Sequence, residues 1–262
     1  MKLMNQCVKG FIVAFSMYSK IPMPRCEWDE ESMPYALCFW PLVGAVIGTL
    51  IYGWGILANI IGMNSMLFAA GSLLISLLVT GGIHLDGLLD TADALSSWQT
   101  RERRLEILKD SHTGAFAIIM CVFYALTLFA VYTQVDRPTL LIIGLGFVLS
   151  RSISALAIVT LPKANKSGTV ATFSNNAKSG QVKVTMVAYI VAVAIGAIII
   201  NPLLGIVMLV ASIVAYACYQ YTAMKHFGGT TGDLAGWFLS ICELVIPLAV
   251  VLTQLIVRSR GL

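Results

Sequence analysis

Long apolar stretches without a charged residue dominate the pattern of this chain. Charges are absent over residues 32–83, 114–135 and 184–224, and Glu243 is the only charge between residues 234 and 257. Because a helix needs about 20 mostly apolar residues to cross a bilayer, each stretch is long enough for one or two spans. The pattern predicts an all-α, polytopic integral membrane protein whose polar residues gather in loops.

We divide these stretches into seven predicted transmembrane helices. Proline ends or kinks a helix, so Asn201-Pro202 is predicted to separate two spans. The apolar stretch Gly10–Tyr18 is too short to cross a membrane and is predicted to lie at its surface. We expect a single membrane-embedded domain over residues 1–262. The predicted spans are 34–55, 65–83, 114–134, 138–160, 184–200, 203–223 and 236–257.

The distribution of lysine and arginine predicts the orientation of these spans. Most of these residues lie in the N-terminal segment and in the loops after the second, fourth and sixth spans. The positive-inside rule places the N-terminal segment and these three loops in the cytoplasm. We therefore expect a multi-pass protein of the cytoplasmic (inner) membrane whose polar loops, with any active site that they carry, face the cytoplasm. Arg258 and Arg260 fall on the opposite side and count against an odd number of spans.

Composition supports a membrane protein and argues against a nucleic-acid partner. Only 11% of residues are charged and the mean hydropathy is +0.85, whereas soluble domains carry about 25% charged residues. The net charge of +4 is explained by topology and by contact with the lipid surface. The six cysteines have no paired spacing, so neither a disulfide framework nor a zinc site is expected.

The loop after the second span carries an unusual group of acids, Asp86, Asp90, Asp93 and Asp110. The spacing of the first three places them on one face of a helix. Like charges this close repel one another unless a cation lies among them, and Mg²⁺ prefers carboxylate oxygens, water and substrate phosphate. The first three aspartates are therefore predicted to bind Mg²⁺. The alternative is a solvated acidic helix end near the membrane surface.

Asp110 and His112 lie at the end of the same loop. Asp110 is predicted to be a fourth metal ligand or a general base, with an exposed loop acid as the alternative. His112 is predicted to donate to a phosphate or to shuttle a proton, with an ordinary loop histidine as the alternative. The mixed charges of the segment 101–106 favour a solvated or headgroup-facing helix over substrate binding.

Lysines in the loop after the fourth span and two charges inside spans are further candidates. Lys163 and Lys166 suit the oxygens of an anionic ligand, and anchoring at the cytoplasmic surface is the equal alternative. Arg151 and Glu243 lie within spans, where a charge is costly unless it is paired or faces a water-filled cavity. We predict that Glu243 either pairs with Arg151 or faces such a cavity.

The loop after the sixth span is rich in glycine and threonine. Gly229, Thr230 and Gly232 are typical of a turn whose exposed backbone N–H groups hold a phosphate before a helix begins. Asp233 is expected to cap that helix, and this structural role alone would explain it.

Several motifs together resemble the cobalamin synthase family, the adenosylcobinamide-GDP ribazoletransferases. The most specific are HLDGLLDTAD at residues 84–93 and GGTTGD at residues 228–233. The resemblance covers almost the whole chain. The other matching segments are SKIPMP at 19–24, WPLVG at 40–44, LEILKDS at 105–111 and Ser150-Arg151.

The resemblance implies that the protein completes the nucleotide loop of cobalamin. In that reaction a ribose hydroxyl of α-ribazole, or of its 5′-phosphate, attacks the cobinamide-side phosphorus of adenosylcobinamide-GDP, and GMP leaves. Such a transfer needs charge neutralisation and positioning, which acid-held Mg²⁺ and basic or N–H donors provide. The implied roles are metal binding by Asp86, Asp90 and Asp93, catalysis by Asp110 and His112, and substrate binding by Arg151, Lys166, Gly229, Thr230, Gly232, Asp233 and Glu243.

Two other functions would also use acids at the end of a span. A CDP-alcohol-type phosphotransferase acting on a lipid alcohol binds metal and diphosphate in this way, but the arginine expected soon after the first Asp-Gly is absent from residues 88–92. A cation transporter would carry its acids near mid-span, whereas these aspartates lie in a loop. The phosphotransferase is kept as the alternative, and homo-oligomer formation is left open.

Overall fold

The structure, a computed structural model, describes residues 2–26, 33–110, 112–165, 172, 175 and 177–261. Over these residues the chain is almost entirely α-helical, and the one β-type pairing joins Lys163 to Thr230. A π-helical turn, Ala223–Phe227, extends the ninth helix. The helices are α1 (Lys2–Tyr18), α2 (Ala36–Ile60), α3 (Ser65–Thr80), α4 (Ile83–Ser96), α5 (Arg101–Ile107), α6 (Ala115–Tyr132), α7 (Arg137–Thr160), α8 (Ser179–Ile200), α9 (Pro202–Thr222) and α10 (Gly232–Ser259).

The helix lengths confirm the polytopic all-α prediction. In the described part of the chain, α2 and α6 to α10 are each long and apolar enough to cross a membrane. The helices α3 and α4 meet that criterion only as a pair bent by 92°, which makes up to seven crossings. As predicted, Asn201-Pro202 separates two helices, α8 and α9. The Asn201 side chain caps α9 by accepting a hydrogen bond from the Leu204 N–H (3.0 Å).

A sharp turn at Gly81-Gly82 ends the second span earlier than the sequence predicts. Both glycines have positive φ, 65° and 79°, a conformation that residues with a Cβ rarely adopt. The helix α3 therefore stops at Thr80 instead of residue 83, and α4 runs across the direction of α3. The bend therefore carries the acid-bearing helix α4 away from the line of α3.

The centre of the bundle is α7, whose apolar window is 72% buried, against 17% for α8. The helix α2 packs closely on α7 because Gly44 and Gly48 face its backbone. A Cβ on Gly44 would lie 2.3 Å from the Phe147 carbonyl oxygen, and one on Gly48 would lie 2.6 Å from that of Gly144. Small residues spaced four apart commonly allow such close packing between membrane helices.

The N-terminal helix is longer and more buried than the sequence suggests. It begins at Lys2, whereas the apolar stretch begins at Gly10. One face is covered, since Val13 and Ala14 are fully buried and Val13 belongs to a small cluster with Met33 and Ala36. The helix α1 therefore packs against the start of α2.

Polar loops lie at two opposite ends of the bundle, as the predicted topology requires. At the end opposite α4, Asp136 caps α7 and forms a 2.7 Å ion pair with Arg258 near the C-terminus. The chain end therefore lies beside the α6–α7 loop, which fits an odd number of crossings. The Arg258 charge, which counted against that number, is balanced by Asp136.

Candidate active site

The helix α4 is held against the first turn of α10. A Cβ on Gly87 would lie only 2.5 Å from the Asp233 carbonyl oxygen, and one on Gly236 would lie 3.2 Å from that of His84. The absence of side chains at both glycines lets the two helices cross closely. The crossing brings Asp233, which is distant in sequence, to the aspartates of α4.

Asp86, Asp90 and Asp233 form an acidic cluster at this crossing. Asp86 is exposed, and the other two are half-buried. The pKa of Asp90 is raised from 3.8 to about 6, first by burial and then by the charges of Asp86, Asp233 and Asp93. No lysine or arginine among the described residues pairs with this cluster.

The donor set of the acidic cluster suits Mg²⁺. Magnesium is usually held by one or two carboxylates and completes its shell with water and substrate phosphate. Among the described residues, no group of three or more acidic, histidine or cysteine side chains is arranged to hold a metal ion, so water and substrate phosphate would have to complete the coordination shell. Carboxylates that repel one another on an open surface fit an ion that keeps water and phosphate ligands.

Asp93 has a structural role that its spacing on the helix does not indicate. Its carboxylate accepts hydrogen bonds from the N–H groups of Gly114 (2.6 Å) and Ala117 (2.9 Å), the first turn of α6. A carboxylate at a helix N-terminus satisfies free donors and the positive end of the helix dipole. Asp93 thus anchors α6 to α4, and metal binding by Asp93 stays a prediction.

The expectation that Asp233 caps α10 is wrong. The capping residue is Thr231, whose hydroxyl oxygen accepts from the Leu234 N–H at 3.2 Å. Asp233 already lies in the first helical turn. Its carboxylate accepts hydrogen bonds from its own N–H and from Thr231, and burial together with the charge of Asp86 raises its pKa, so it belongs to the acidic cluster.

The glycine–threonine loop is tied to the protein more tightly than a free phosphate cradle would be. The Gly229 N–H donates to Ala223, and the Thr230 N–H donates to Pro162. Thr230 is buried, and its hydroxyl bonds to Tyr219. The expectation of exposed N–H groups at Gly229 and Thr230 is therefore wrong, whereas Gly232 is exposed at the start of α10, where helix donors lack intrahelical partners.

Basic side chains approach the same loop from two directions. The backbone bridge to Thr230 fixes Lys163, whose pKa is lowered by partial burial. From α5, Arg104 contacts the His226 ring nitrogen Nδ1 at 2.8 Å, and Arg101 covers Gly228. Arg104 is therefore not on a purely solvated face, and with His226 it is a candidate that sequence reasoning missed. Lys166 lies outside the described residues.

Asp110 and His112 form an exposed hydrogen-bonded pair between α5 and α6. Asp110 Oδ1 accepts from the His112 backbone N–H (3.0 Å) and contacts Nδ1 of its ring at 2.7 Å. These hydrogen bonds lower the pKa of Asp110, which stays a carboxylate and can orient the imidazole. The pair lies close to Gly114, which Asp93 attaches to α4.

Arg151 and Glu243 meet inside the bundle, as one alternative of the sequence analysis predicts. Arg151 Nη1 lies 2.7 Å from Glu243 Oε1, and the arginine is fully buried. Ser76 of α3 reaches the other carboxylate oxygen at 3.4 Å, and His84 of α4 lies 3.5 Å from Arg151 Nη2. The pair therefore links four helices beneath the acidic cluster. Substrate contact by the pair stays a prediction.

Comparison with known sequences identifies the family. The profile of cobalamin-5-phosphate synthase matches residues 10–251. The chain belongs to the cobalamin-5-phosphate synthase family. It is 46% identical to an adenosylcobinamide-GDP ribazoletransferase of Lachnoclostridium phytofermentans, covering 92% of this chain and 93% of the relative. A Pseudomonas syringae protein of the same name is 32% identical, covering 92% and 98%. No solved structure matches the chain.

Replacing Gly87 by alanine tests whether the α4–α10 crossing builds the site. The new methyl group would push against the Asp233 backbone and separate the acids, so we expect activity to fall at least about tenfold. Gly53→Ala is the matched control, because a Cβ there meets nothing within 4 Å. Turnover by both purified variants is the measurement, and equal activity would show that the crossing does not position the site.

Proposed function

We propose that this protein is a Mg²⁺-dependent adenosylcobinamide-GDP ribazoletransferase. Its substrates would be adenosylcobinamide-GDP and α-ribazole or its 5′-phosphate, and its active site would face the cytoplasm at the inner membrane. The observation that carries the proposal is the cluster of Asp86, Asp90 and Asp233, together with the family match. The lipid-alcohol alternative gains no support, since the named relatives are ribazoletransferases.

In the proposed reaction, the aspartates of the cluster bind the cation, and neighbouring donors position the diphosphate. Bound Mg²⁺ would neutralise the diphosphate and the charge that develops as GMP leaves. Asp86, Asp90 and Asp233 would hold the ion, and the N–H donors in the first turn of α10, which begins at the exposed Gly232, would bind phosphate oxygens of the substrate. Lys163 and Arg104, which lie beside the same loop, would bind the remaining anionic oxygens.

The Asp110–His112 pair is the proposed proton acceptor. In the transfer, the ribose hydroxyl oxygen forms a bond to the cobinamide-side phosphorus while the bond to the GMP oxygen breaks. The hydroxyl proton passes to the imidazole of His112, which the Asp110 carboxylate orients through its 2.7 Å contact. This arrangement is a histidine base with a carboxylate partner, so Asp110 does not need to touch substrate.

The direct test of the reaction is GMP release by the purified protein. The protein is incubated with adenosylcobinamide-GDP and either α-ribazole or α-ribazole 5′-phosphate, with Mg²⁺ or with EDTA. We expect release to require both an acceptor and Mg²⁺, and the ratio of rates identifies the preferred acceptor. Release that proceeds equally in EDTA would refute the metal dependence, and no release with either acceptor would refute the activity.

The raised pKa of Asp90 predicts how pH affects Mg²⁺ binding. Folding raises this pKa from 3.8 to about 6. Between these two pH values the metal-free folded protein therefore keeps the Asp90 proton, whereas the unfolded chain releases it. Stability of the metal-free protein should therefore decrease as pH rises from about 4 to about 6 and then level off. Mg²⁺ needs the carboxylate, so its apparent affinity should rise over the same interval by up to about tenfold per pH unit.

Isothermal titration of Mg²⁺ between pH 5 and 8 checks this prediction. The Asp90→Asn variant is the control, because it lacks the titrating group. An affinity that is independent of pH in the wild type would contradict the assignment of Asp90.

A further inference from the structure

A cavity lies at the end of the bundle opposite the acidic cluster. It has a volume of about 390 Å³ and is formed by the end of α2, the α2–α3 turn and the α6–α7 junction. Polar groups line it, among them Asn59, Asp136 and Arg137, together with the rings of Tyr52, Phe68 and Tyr132. A volume in the range 300–1,000 Å³ is typical of small-molecule sites. The proposed reaction makes no use of this cavity.

An apolar groove adjoins the cavity, between α2 and α7 and beside Ile200 at the end of α8. This groove has a volume of about 250 Å³ and shares Tyr52 and Leu140 with the polar cavity. It extends along α2 from Tyr52 to Ala45, which is about 10 Å at 1.5 Å per residue. That length covers most of one leaflet, since the whole hydrocarbon core is about 30 Å thick.

The charge at this end favours an anionic occupant. Asp136 is already paired with Arg258 at 2.7 Å. Arg137 lines the cavity, is exposed, and has no ion pair with any described residue. Arginine binds phosphate strongly through its planar donors.

We propose that the cavity and groove together bind one anionic phospholipid of the outer leaflet. The phosphate lies on Arg137 in the polar cavity, and one acyl chain fills the groove between α2 and α7. The site also explains why an arginine stands on a side of the membrane where the positive-inside rule disfavours it. It is independent of the acidic cluster, which lies at the other end of the bundle.

Native mass spectrometry of the detergent-purified, delipidated protein tests the proposal. Phosphatidylglycerol and phosphatidylcholine with identical acyl chains are titrated separately, and sn-glycerol 1-phosphate is added as a soluble competitor. We expect phosphatidylglycerol to bind at least about fivefold more tightly than phosphatidylcholine, because this is the gain in affinity that one arginine near an anionic lipid surface provides. Glycerol phosphate should not displace it at equal concentration, because it lacks the acyl chain.

Three variants assign the two halves of the site. Arg137→Gln should bring the two lipids to equal affinity, whereas Arg260→Gln, at the same end but outside the cavity lining, should keep the preference. Thr49→Phe should fill the groove and weaken both lipids, since Thr49 is exposed within it. Equal binding of the two lipids by wild type, an unchanged preference in Arg137→Gln, displacement by glycerol phosphate, or no effect of Thr49→Phe would each overturn the proposal.

Discussion

Replacing Asp90 by asparagine should lower turnover by about 10²- to 10³-fold while stabilising the metal-free protein. Asp90 lies among Asp86, Asp233 and Asp93, whose charges help to raise its pKa to about 6. Removing its charge relieves that repulsion but also removes a ligand for the cation. A residue with only a structural role would lose activity through lost stability, so the opposite signs of the two effects are diagnostic.

Turnover and thermal unfolding in EDTA measure the two effects. Glu102→Gln is the control, because Glu102 is an exposed acid of α5 with no part in the cluster. Asp93→Ala provides the contrast: it removes the cap of α6 and should cost about 1 kcal/mol of stability. A destabilised Asp90→Asn protein, or one with full activity, would contradict the assignment.

Breaking the buried ion pair should produce the largest loss of stability in the protein. Replacing Arg151 by methionine leaves the Glu243 carboxylate without its cation inside the bundle, which costs about 3–5 kcal/mol in buried pairs. Replacing both residues, Arg151→Met with Glu243→Leu, removes the charge problem. The double variant should therefore be much more stable than either single variant.

Reversible unfolding in mixed micelles gives the free energies for this cycle. The matched control is Arg258→Met, which breaks the more exposed pair with Asp136 and should cost no more than about 1 kcal/mol. Single variants as stable as the control would show that the buried pair is not a structural link. A stable double variant without activity would support the predicted contact of Arg151 or Glu243 with substrate.

The membrane architecture could be predicted from the sequence because the bilayer imposes simple requirements. Span length and the cost of unpaired charge are local properties, and they led to the separation at Asn201-Pro202 and to the pairing of Arg151 with Glu243. The end of α3 was missed by a few residues, although Gly81-Gly82 carries the signal. Two successive glycines in a membrane protein can mark a change of direction that hydropathy alone does not register.

The candidate site was only partly predictable because its members come from distant segments. Helical spacing groups Asp86 with Asp90, but it also adds Asp93, whose carboxylate is used by the backbone of α6. The third member of the cluster, Asp233, lies there because α4 and α10 cross closely at Gly87. No local sequence pattern predicts that contact. The sequence also offers a capping role that would account for Asp233, whereas Thr231, two residues earlier, is an equally suitable cap and is the one that the structure uses.

The central claim is that Asp86, Asp90 and Asp233 together hold one divalent cation. Electron paramagnetic resonance of Mn²⁺, used in place of Mg²⁺, measures bound metal directly and without substrate turnover. We predict one tightly bound Mn²⁺ per chain in the wild type, and none in Asp233→Asn or in the double variant Asp86→Asn with Asp90→Asn. Loss of Mn²⁺ in Asp93→Ala as well would make Asp93 a further ligand. Undiminished Mn²⁺ binding in that double variant would contradict the account.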